Sequence, residues 1–288
     1  MTIWNLENRR FRASVSATGG ELLTLWDKHQ QKHWLWKPQP GVWNNSATQL
    51  FPVVGRLIHE GLWLGEQFLP LPAHGFLRQQ PFRCLQRQGN QLLLDAHATG
   101  QTRACWPWRW RVQLRLSLQA DGIRLCQSVR NEDATAFHYA IGWHPGFSLP
   151  IATQPGWHLA FTGGAVAGPF FTDNRTLAIP SDPPATEAFP LTAAGFQGGA
   201  VYFGDTARRS VEVYAPNGAR VMSIETGDQP WLALWGVPGA DLLCIEPLAG
   251  TTDDPAFGGQ VALKRGMQTL QPGEEQTFET RIRFAVDA

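Results

Sequence analysis

The chain of 288 residues has little that would bind metal through thiolates or be cross-linked by disulfides. Its four cysteines, Cys84, Cys105, Cys126 and Cys244, are scattered and include no CxxC pair. This spacing argues against a structural zinc site and against a disulfide framework. We therefore expect buried, reduced thiols.

Excess charge is also absent, because Lys plus Arg and Asp plus Glu both number 24 and the formal net charge is zero. Such a chain has no basic field to attract nucleic acid or anionic lipid. No run approaches the roughly 20 apolar residues of a membrane span. Residues 1–10 lack the basic start and apolar stretch of a signal peptide. We expect a cytoplasmic protein, with neither nucleic acid nor a membrane as a partner.

Sustained helical periodicity is missing as well. The chain contains 29 glycines and 21 prolines, and no capped amphipathic stretch exceeds about three turns. Hydrophobic residues make up 43% and charged residues 17%, which is enough apolar material for a packed core. All-β chains of this size commonly fold as one domain. We expect residues 1–288 to form a single domain.

The chain has the alternating patterns of β-strands instead of helical periodicity. Residues 110–118 alternate strictly between apolar and polar side chains, and a turn signal at 121–122 leads into a second alternating run at 123–129. Similar patterns occur at 211–224 and 278–284. They predict antiparallel sheets. The unpatterned segment 163–199 is expected to form long loops within the same domain.

A first candidate for chemistry is His144. Residues 139–145 (YAIGWHP) are expected to form a strand with large apolar side chains on one face, and His144 with small residues on the other. Small neighbours leave volume for a ligand, and Pro145 favours an extended backbone at His144. A hydrogen-bonded core histidine fits the same pattern.

Glu246 is the second candidate, since it ends the apolar run 242–247 (LLCIEP). Burial among apolar neighbours would raise the pKa of this carboxyl group towards the range useful to a general base. A strand-end glutamate that simply reaches solvent is the alternative. Two further polar groups, Arg56 and His74, lie in glycine-flanked turns, where loops commonly present binding groups. Either one alone also fits a surface or turn residue.

Four short motifs share one order with a known family. FPxxGR at 51–56, HGF at 74–76, HPxF at 144–147 and IEP at 245–247 resemble the aldose 1-epimerase (galactose mutarotase-like) superfamily. Residues 231–235 (WLALW) are similar to the family's tryptophan-ended strand before the catalytic glutamate. The resemblance covers nearly the whole chain and is closest to a divergent bacterial branch.

This resemblance implies a fold and an activity. The implied fold is a large antiparallel β-sandwich, all-β, with the sugar in an open cleft and no cofactor. The implied activity is mutarotation of an aldose, with Glu246 as general base and His144 as general acid. Arg56 and His74 match the substrate-positioning groups. Tryptophan faces suit pyranose rings, and among Trp43, Trp143, Trp231 and Trp235 we expect one or two, including Trp235, in the cleft.

The chain departs from the family at one sugar contact. It has no Asp-His or Asp-Asn segment of the kind that binds a sugar hydroxyl in galactose mutarotases, which argues against galactose as substrate. Asp205 is the substitute that we consider, although an aspartate before Thr206 also fits an ordinary turn.

Three other functions stay open at this stage. A hexose-6-phosphate 1-epimerase would need arginines around the phosphate, for which Arg78 and Arg109 are candidates. A carbohydrate-binding protein of the same fold would need no acid and base. A metal enzyme would use His74, His144 and Glu246 as ligands, although no short ligand spacing supports it. The protein could act as a monomer or a homodimer.

Overall fold

Antiparallel strands form almost all of the regular structure. The computed structural model describes residues 2–286. The strands in chain order are β1 (Ile3–Glu7), β2 (Phe11–Ser16), β3 (Leu22–Asp27), β4 (Lys32–His33), β5 (Ala47–Leu50), β6 (Gly61–Leu64), β7 (Gln67–Pro70), β8 (Arg83–Gln88), β9 (Gln91–His97), β10 (Trp110–Leu118), β11 (Gly122–Asn131), β12 (Phe137–Tyr139), β13 (Ile141–Ser148), β14 (His158–Thr162), β15 (Val166–Phe171), β16 (Ala185–Thr186), β17 (Ala188–Pro190), β18 (Val201–Gly204), β19 (Ser210–Tyr214), β20 (Arg220–Glu225), β21 (Trp231–Trp235), β22 (Leu242–Ala249), β23 (Gln268–Leu270) and β24 (Glu275–Phe284). Helical structure comprises α1 (Gly100–Cys105) and the 3₁₀ turns Leu77–Gln79, Ala193–Phe196 and Val261–Leu263.

Two large sheets dominate the architecture. One has nine strands in the order β17-β14-β19-β20-β24-β11-β10-β9-β8, and the other has seven in the order β16-β15-β18-β21-β22-β13-β5. Strands β1 to β4 form a separate four-stranded sheet, and the pairs β6-β7 and β12-β23 form small two-stranded sheets. The predicted all-β, antiparallel class is confirmed.

The two large sheets pack face to face across the main hydrophobic core. Apolar side chains from both sheets belong to one buried cluster, among them Leu114 of β10 and Trp143 of β13. A buried polar contact also joins the sheets, because Gln127 Nε2 of β11 donates to Gln49 Oε1 at 2.8 Å and to the Gly142 carbonyl at 3.1 Å. The seven-stranded sheet thus has one face on the core, and its other face is free to carry a site.

The sequence prediction succeeded where strand alternation was strong. Strands β10 and β11 pair as the predicted hairpin, and β19 pairs with β20 in the same way. The prediction of loops throughout 163–199 was wrong, because that segment contributes β15, β16 and β17 to the sheets. Short strands of two to six residues, several rich in Ala, Gly and Pro, give too little periodicity for the pattern to appear.

Other expectations need correction in detail. Cys84 is exposed rather than buried, whereas Cys244 is buried, and all four cysteines are free thiols. The strand that carries His144 does not end at Pro145 but continues to Ser148. Across residues 2–286, the structure has no helix with the length and apolar character needed to span a bilayer.

A buried ion pair fixes the loop that follows β22. Lys264 Nζ lies 2.5 Å from Asp253 Oδ1, with both side chains only 1% exposed. The same ammonium donates to the Thr251 carbonyl at 2.8 Å, and Asp253 Oδ2 accepts from the Ile58 amide at 2.9 Å. Burial lowers the pKa of Lys264, and Asp253 opposes that shift. The pair therefore ties three chain segments together behind the loop that carries Arg56.

We expect Asp253→Asn to destabilise the protein by about 3 to 5 kcal/mol, because it leaves the Lys264 ammonium buried without a counter-charge. Urea unfolding followed by circular dichroism measures this loss. The matched control is Asp228→Asn, which breaks the exposed Arg208–Asp228 pair and is expected to leave the urea midpoint unchanged. Equal midpoints for the two variants would contradict this account of the pair.

Candidate active site

A single row of side chains crosses the free face of the seven-stranded sheet. Thr48 of β5 pairs with His144 of β13, Glu246 of β22 pairs with Ala233 of β21, and Ala233 pairs with Tyr202 of β18. Four of the five residues line a cavity of about 610 Å³, with the small Ala233 between the polar members of the row. The sheet register therefore forms the floor of the site.

His144 and Glu246 face each other at a break in the hydrogen-bond ladder. Strands β13 and β22 pair at Gly142–Leu248 and again at Gly146–Cys244, and the ladder is interrupted between these two levels. Each strand carries a proline in this gap, Pro145 and Pro247, and proline has no N–H to donate. The unchanged register places His144 directly opposite Glu246, and His144 Nε2 lies 3.3 Å from Glu246 Oε1.

Burial controls the protonation of this pair. The side chains of His144 and Glu246 are 10% and 5% exposed. Desolvation raises the pKa of Glu246 well above its usual value. Desolvation also lowers the pKa of His144 to about 4, and the charge of Arg78 adds to that effect. Burial therefore favours the uncharged form of both groups, which corresponds to one proton on the pair, shared across a short contact.

Aromatic packing orients the His144 ring. Trp43 stacks on it with centroids 5.0 Å apart, and Trp235 meets its edge at 6.0 Å. Gly146 makes room for this stack, because a Cβ there would lie 2.6 Å from the Trp43 ring. His144 Nδ1 is buried and has no hydrogen-bond partner among residues 2–286. The ring is thus held by packing on its faces and by Glu246 at one nitrogen.

His74 is held as a neutral hydrogen-bond donor. The Gly55 amide donates to His74 Nδ1 at 3.2 Å, and the His74 amide donates to the Gly55 carbonyl at 2.9 Å. Nδ1 is therefore an acceptor, which leaves the ring proton on Nε2. Burial, followed by the positive charges of neighbouring groups, lowers the pKa of His74 well below its usual value. Its ring lies 5.6 Å from that of His144.

Arg56 reaches the cavity from a tightly packed turn. Gly55 has a φ of +75° and approaches Thr252 so closely that a Cβ would lie 2.4 Å from the Thr252 Cα. The Arg56 amide donates to Thr252 Oγ1 at 3.0 Å, and its Nη1 donates to the Asn174 carbonyl at 2.7 Å. The glycine in the FPxxGR motif is therefore required by close backbone approach.

The structure brings most of the residues singled out in the sequence to one place. His144, Glu246, Arg56, His74 and Trp235 all line the cavity. Of the other tryptophans considered, Trp43 lines it too, whereas Trp143 lies in the core between the sheets and Trp231 packs in a smaller cluster.

Asp205 does not join this group. It is exposed, has a φ of +58°, and follows the end of β18 as an ordinary turn residue. Strand alternation explains its position, since Tyr202 faces the cavity while Phe203, the next residue, is buried in the main core. Of the arginines considered for phosphate binding, Arg78 lines the cavity, but Arg109 is exposed and lies near Asp133 instead.

Sequence reasoning missed Thr48, Tyr202 and Arg175, which also line the cavity. Strand alternation offers a weak signal for Tyr202, and nothing in the sequence marks Arg175.

As for metals, the described residues contain no group of three or more His, Cys, Asp or Glu side chains placed to hold an ion. His74, His144 and Glu246 thus do not form the ligand set that the metal-enzyme interpretation requires.

Comparisons with known proteins agree with this architecture. Protein LacX of Lactococcus lactis subsp. lactis is 23% identical over 265 residues, which cover 87% of this chain and 88% of that protein. A galactose mutarotase related enzyme from Lactobacillus acidophilus superposes with a TM-score of 0.92 at 21% identity, covering 99% of this chain and 97% of the other. A galactose mutarotase-like protein from Lactobacillus casei gives 0.88 at 22% identity, with 99% and 100% covered.

These similarities show a galactose mutarotase-like fold, as predicted from the motifs. The sequence model of the aldose 1-epimerase family matches residues 2–283, nearly the whole chain. Together with the motif residues gathered around one cavity, this match shows that the chain belongs to the aldose 1-epimerase family.

Proposed function

We propose that the protein is an aldose 1-epimerase that interconverts the α and β anomers of a sugar by opening and closing its ring. The observation that carries this proposal is the contact of 3.3 Å between His144 and Glu246 on the floor of an open cavity. An acid and a base must meet at one anomeric centre in this reaction, and these two side chains converge on one point.

The reaction conserves the proton that the pair holds. When the shared proton lies on His144, Glu246 as carboxylate takes the proton of the anomeric hydroxyl, and His144 as imidazolium gives a proton to the ring oxygen. The bond from C1 to the ring oxygen breaks, its electron pair stays with that oxygen, and C1 becomes an aldehyde. After rotation about the C1–C2 bond, the reverse transfers close the ring. The pair holds one proton before and after each half of the cycle.

Neighbouring groups support this chemistry. His74 offers a neutral N–H and Arg56 a cation, which would orient sugar hydroxyls and stabilise negative charge that develops on oxygen. The rings of Trp43 and Trp235, 5.9 Å apart and at 66° to each other, offer apolar surfaces for the C–H face of a pyranose.

We expect Glu246→Gln to lower kcat by about 10² to 10⁴, because the amide cannot accept the anomeric proton. Polarimetry of freshly dissolved α-anomers measures the rate, and calorimetry with the same sugar is expected to show that binding survives. Glu187→Gln, at an exposed carboxylate outside the cavity, serves as the control and is expected to match wild type.

Two results would contradict the proposal in different ways. Full activity of Glu246→Gln would mean that the assigned base is wrong. Sugar binding by the wild type without any acceleration would instead indicate a carbohydrate-binding protein that uses the same cavity.

The pH dependence follows from the single shared proton. A second proton binds as the pH falls through the pKa of His144, about 4, and leaves no base. The only proton is lost as the pH rises through the pKa of Glu246, which burial raises well above its usual value, and this leaves no acid. We expect a bell-shaped profile of kcat/KM whose acid limb lies near pH 4.

Polarimetry in a series of buffers, corrected for spontaneous mutarotation in each, measures this profile. Circular dichroism at each pH separates loss of activity from unfolding. An acid limb near pH 6.5, the usual value for a free imidazole, would contradict a buried His144 in the working enzyme.

A further inference from the structure

The cavity carries more positive charge than ring opening requires. Arg56, Arg78 and Arg175 all line it, and among its lining residues Glu246 is the one carboxylate. Within residues 2–286 none of the three arginines forms a salt bridge, although the molecule has many elsewhere. The Glu246 carboxyl group contacts His144 rather than any of the three arginines.

Arg78 is a partly buried cation without a close counter-ion. Its Nη2 donates to the Ala73 carbonyl at 3.1 Å. The carboxylate whose charge acts on it is Glu21, but Glu21 Oε1 accepts from the amides of Ser46 and Ala47 at 2.7 and 3.1 Å. Burial lowers the pKa of Arg78, and Glu21 only partly opposes that shift. An anion in the cavity would supply the missing charge.

Arg175 occupies a backbone position that is costly for a residue with a side chain. Asn174 and Arg175 have φ values of +45° and +65° in the tight turn 173–176. The left-handed region costs such residues roughly 1 kcal/mol or more. Thr252 Oγ1 donates to the Arg175 carbonyl at 2.6 Å, and Arg56 Nη1 donates to the Asn174 carbonyl. The turn is thus clamped at both central residues, with the two arginines adjacent.

These charges act on His144 and on two residues near it in the cavity. After burial, the charge of Arg78 is a cause of the lowered pKa of His144. At His74, burial and the charge of His144 come first, and Arg78 and Arg175 lower the pKa further. Burial raises the pKa of Tyr202, and the charge of Arg175 opposes that rise. The positive charges therefore reach His144, His74 and Tyr202.

A second cavity continues beyond Arg56 and Arg175. It has a volume of about 450 Å³, and these two arginines line both cavities, with Glu60 and Leu71 on the far side. A substituent on a sugar in the first cavity would have space at this junction. Two guanidinium groups without carboxylate partners are suited to hold a phosphate or carboxylate there.

We propose that the substrate is an aldose with an anionic group away from C1, a phosphate or a carboxylate, held by Arg56 and Arg175 at the junction of the two cavities. Arg78 adds positive potential from the side of His144. This inference rests on the proposed mutarotase activity. Arg175 is then the residue that determines the preference for an anionic over a neutral sugar.

The test compares neutral aldoses, their 6-phosphates and the corresponding uronates at equal ionic strength, with the anomeric exchange followed by nuclear magnetic resonance. We expect wild type to favour an anionic sugar by at least about tenfold in kcat/KM, and added salt to reduce the preference. Arg175→Gln is expected to lower kcat/KM for that sugar by about ten- to hundredfold while the neutral sugar changes little. The matched control is Arg109→Gln, which removes an exposed arginine outside the cavity.

The comparison of the 6-phosphates with the uronates identifies which anionic group is bound. Equal turnover of neutral and anionic sugars by wild type, unchanged in Arg175→Gln, would overturn this inference and leave the mutarotase proposal standing. If no sugar is turned over, the mutarotase proposal fails, and calorimetry decides the inference. Binding of the anionic sugar that is lost in Arg175→Gln would then support it, and equal binding of neutral and anionic sugars, or none, would overturn it.

Discussion

The site depends on one constraint, which is that β13 and β22 are neighbouring strands with a fixed register. That register puts His144 opposite Glu246 within a sheet whose other face is sealed by the core. A buried carboxylate or a buried imidazolium alone would be costly, but a pair that holds one proton can be neutral as a whole. Burial and proximity thus favour the singly protonated pair that the proposed acid–base mechanism uses.

This register explains why the HPxF and IEP motifs each contain a proline after the candidate acid–base residue. Pro145 follows His144, and Pro247 follows Glu246, so the antiparallel register places one missing N–H on each side of the level at which His144 faces Glu246. Side chains of an antiparallel pair approach most closely where the backbones are not hydrogen bonded. The prolines therefore remove ladder bonds on both sides of the level where the two candidate acid–base side chains meet.

The sequence predicted the strands with strong alternation and the residues in the four motifs, because both signals are local. His144 and Glu246 are 102 positions apart in the chain. Only the order of strands in the sheet brings them together. Asp205 was chosen from the sequence for its chemistry, but its position one residue beyond β18, in a left-handed turn, keeps it at the surface. Arg175 could not be found, since its role depends on a turn that Thr252 and Arg56 clamp from distant parts of the chain.

Rigid and variable parts of the site are built from different elements. Thr48, His144, Glu246 and Tyr202 project from strands, so their spacing is fixed by the sheet. Arg56 and Arg175 come from turns, whose conformation is held by side-chain to backbone bonds and by the buried Lys264–Asp253 pair behind them. Loops can change without altering the sheet register. In the proposed mutarotase, the proton chemistry is therefore set by the fold, whereas the choice of sugar depends on which side chains the turns present around the same row.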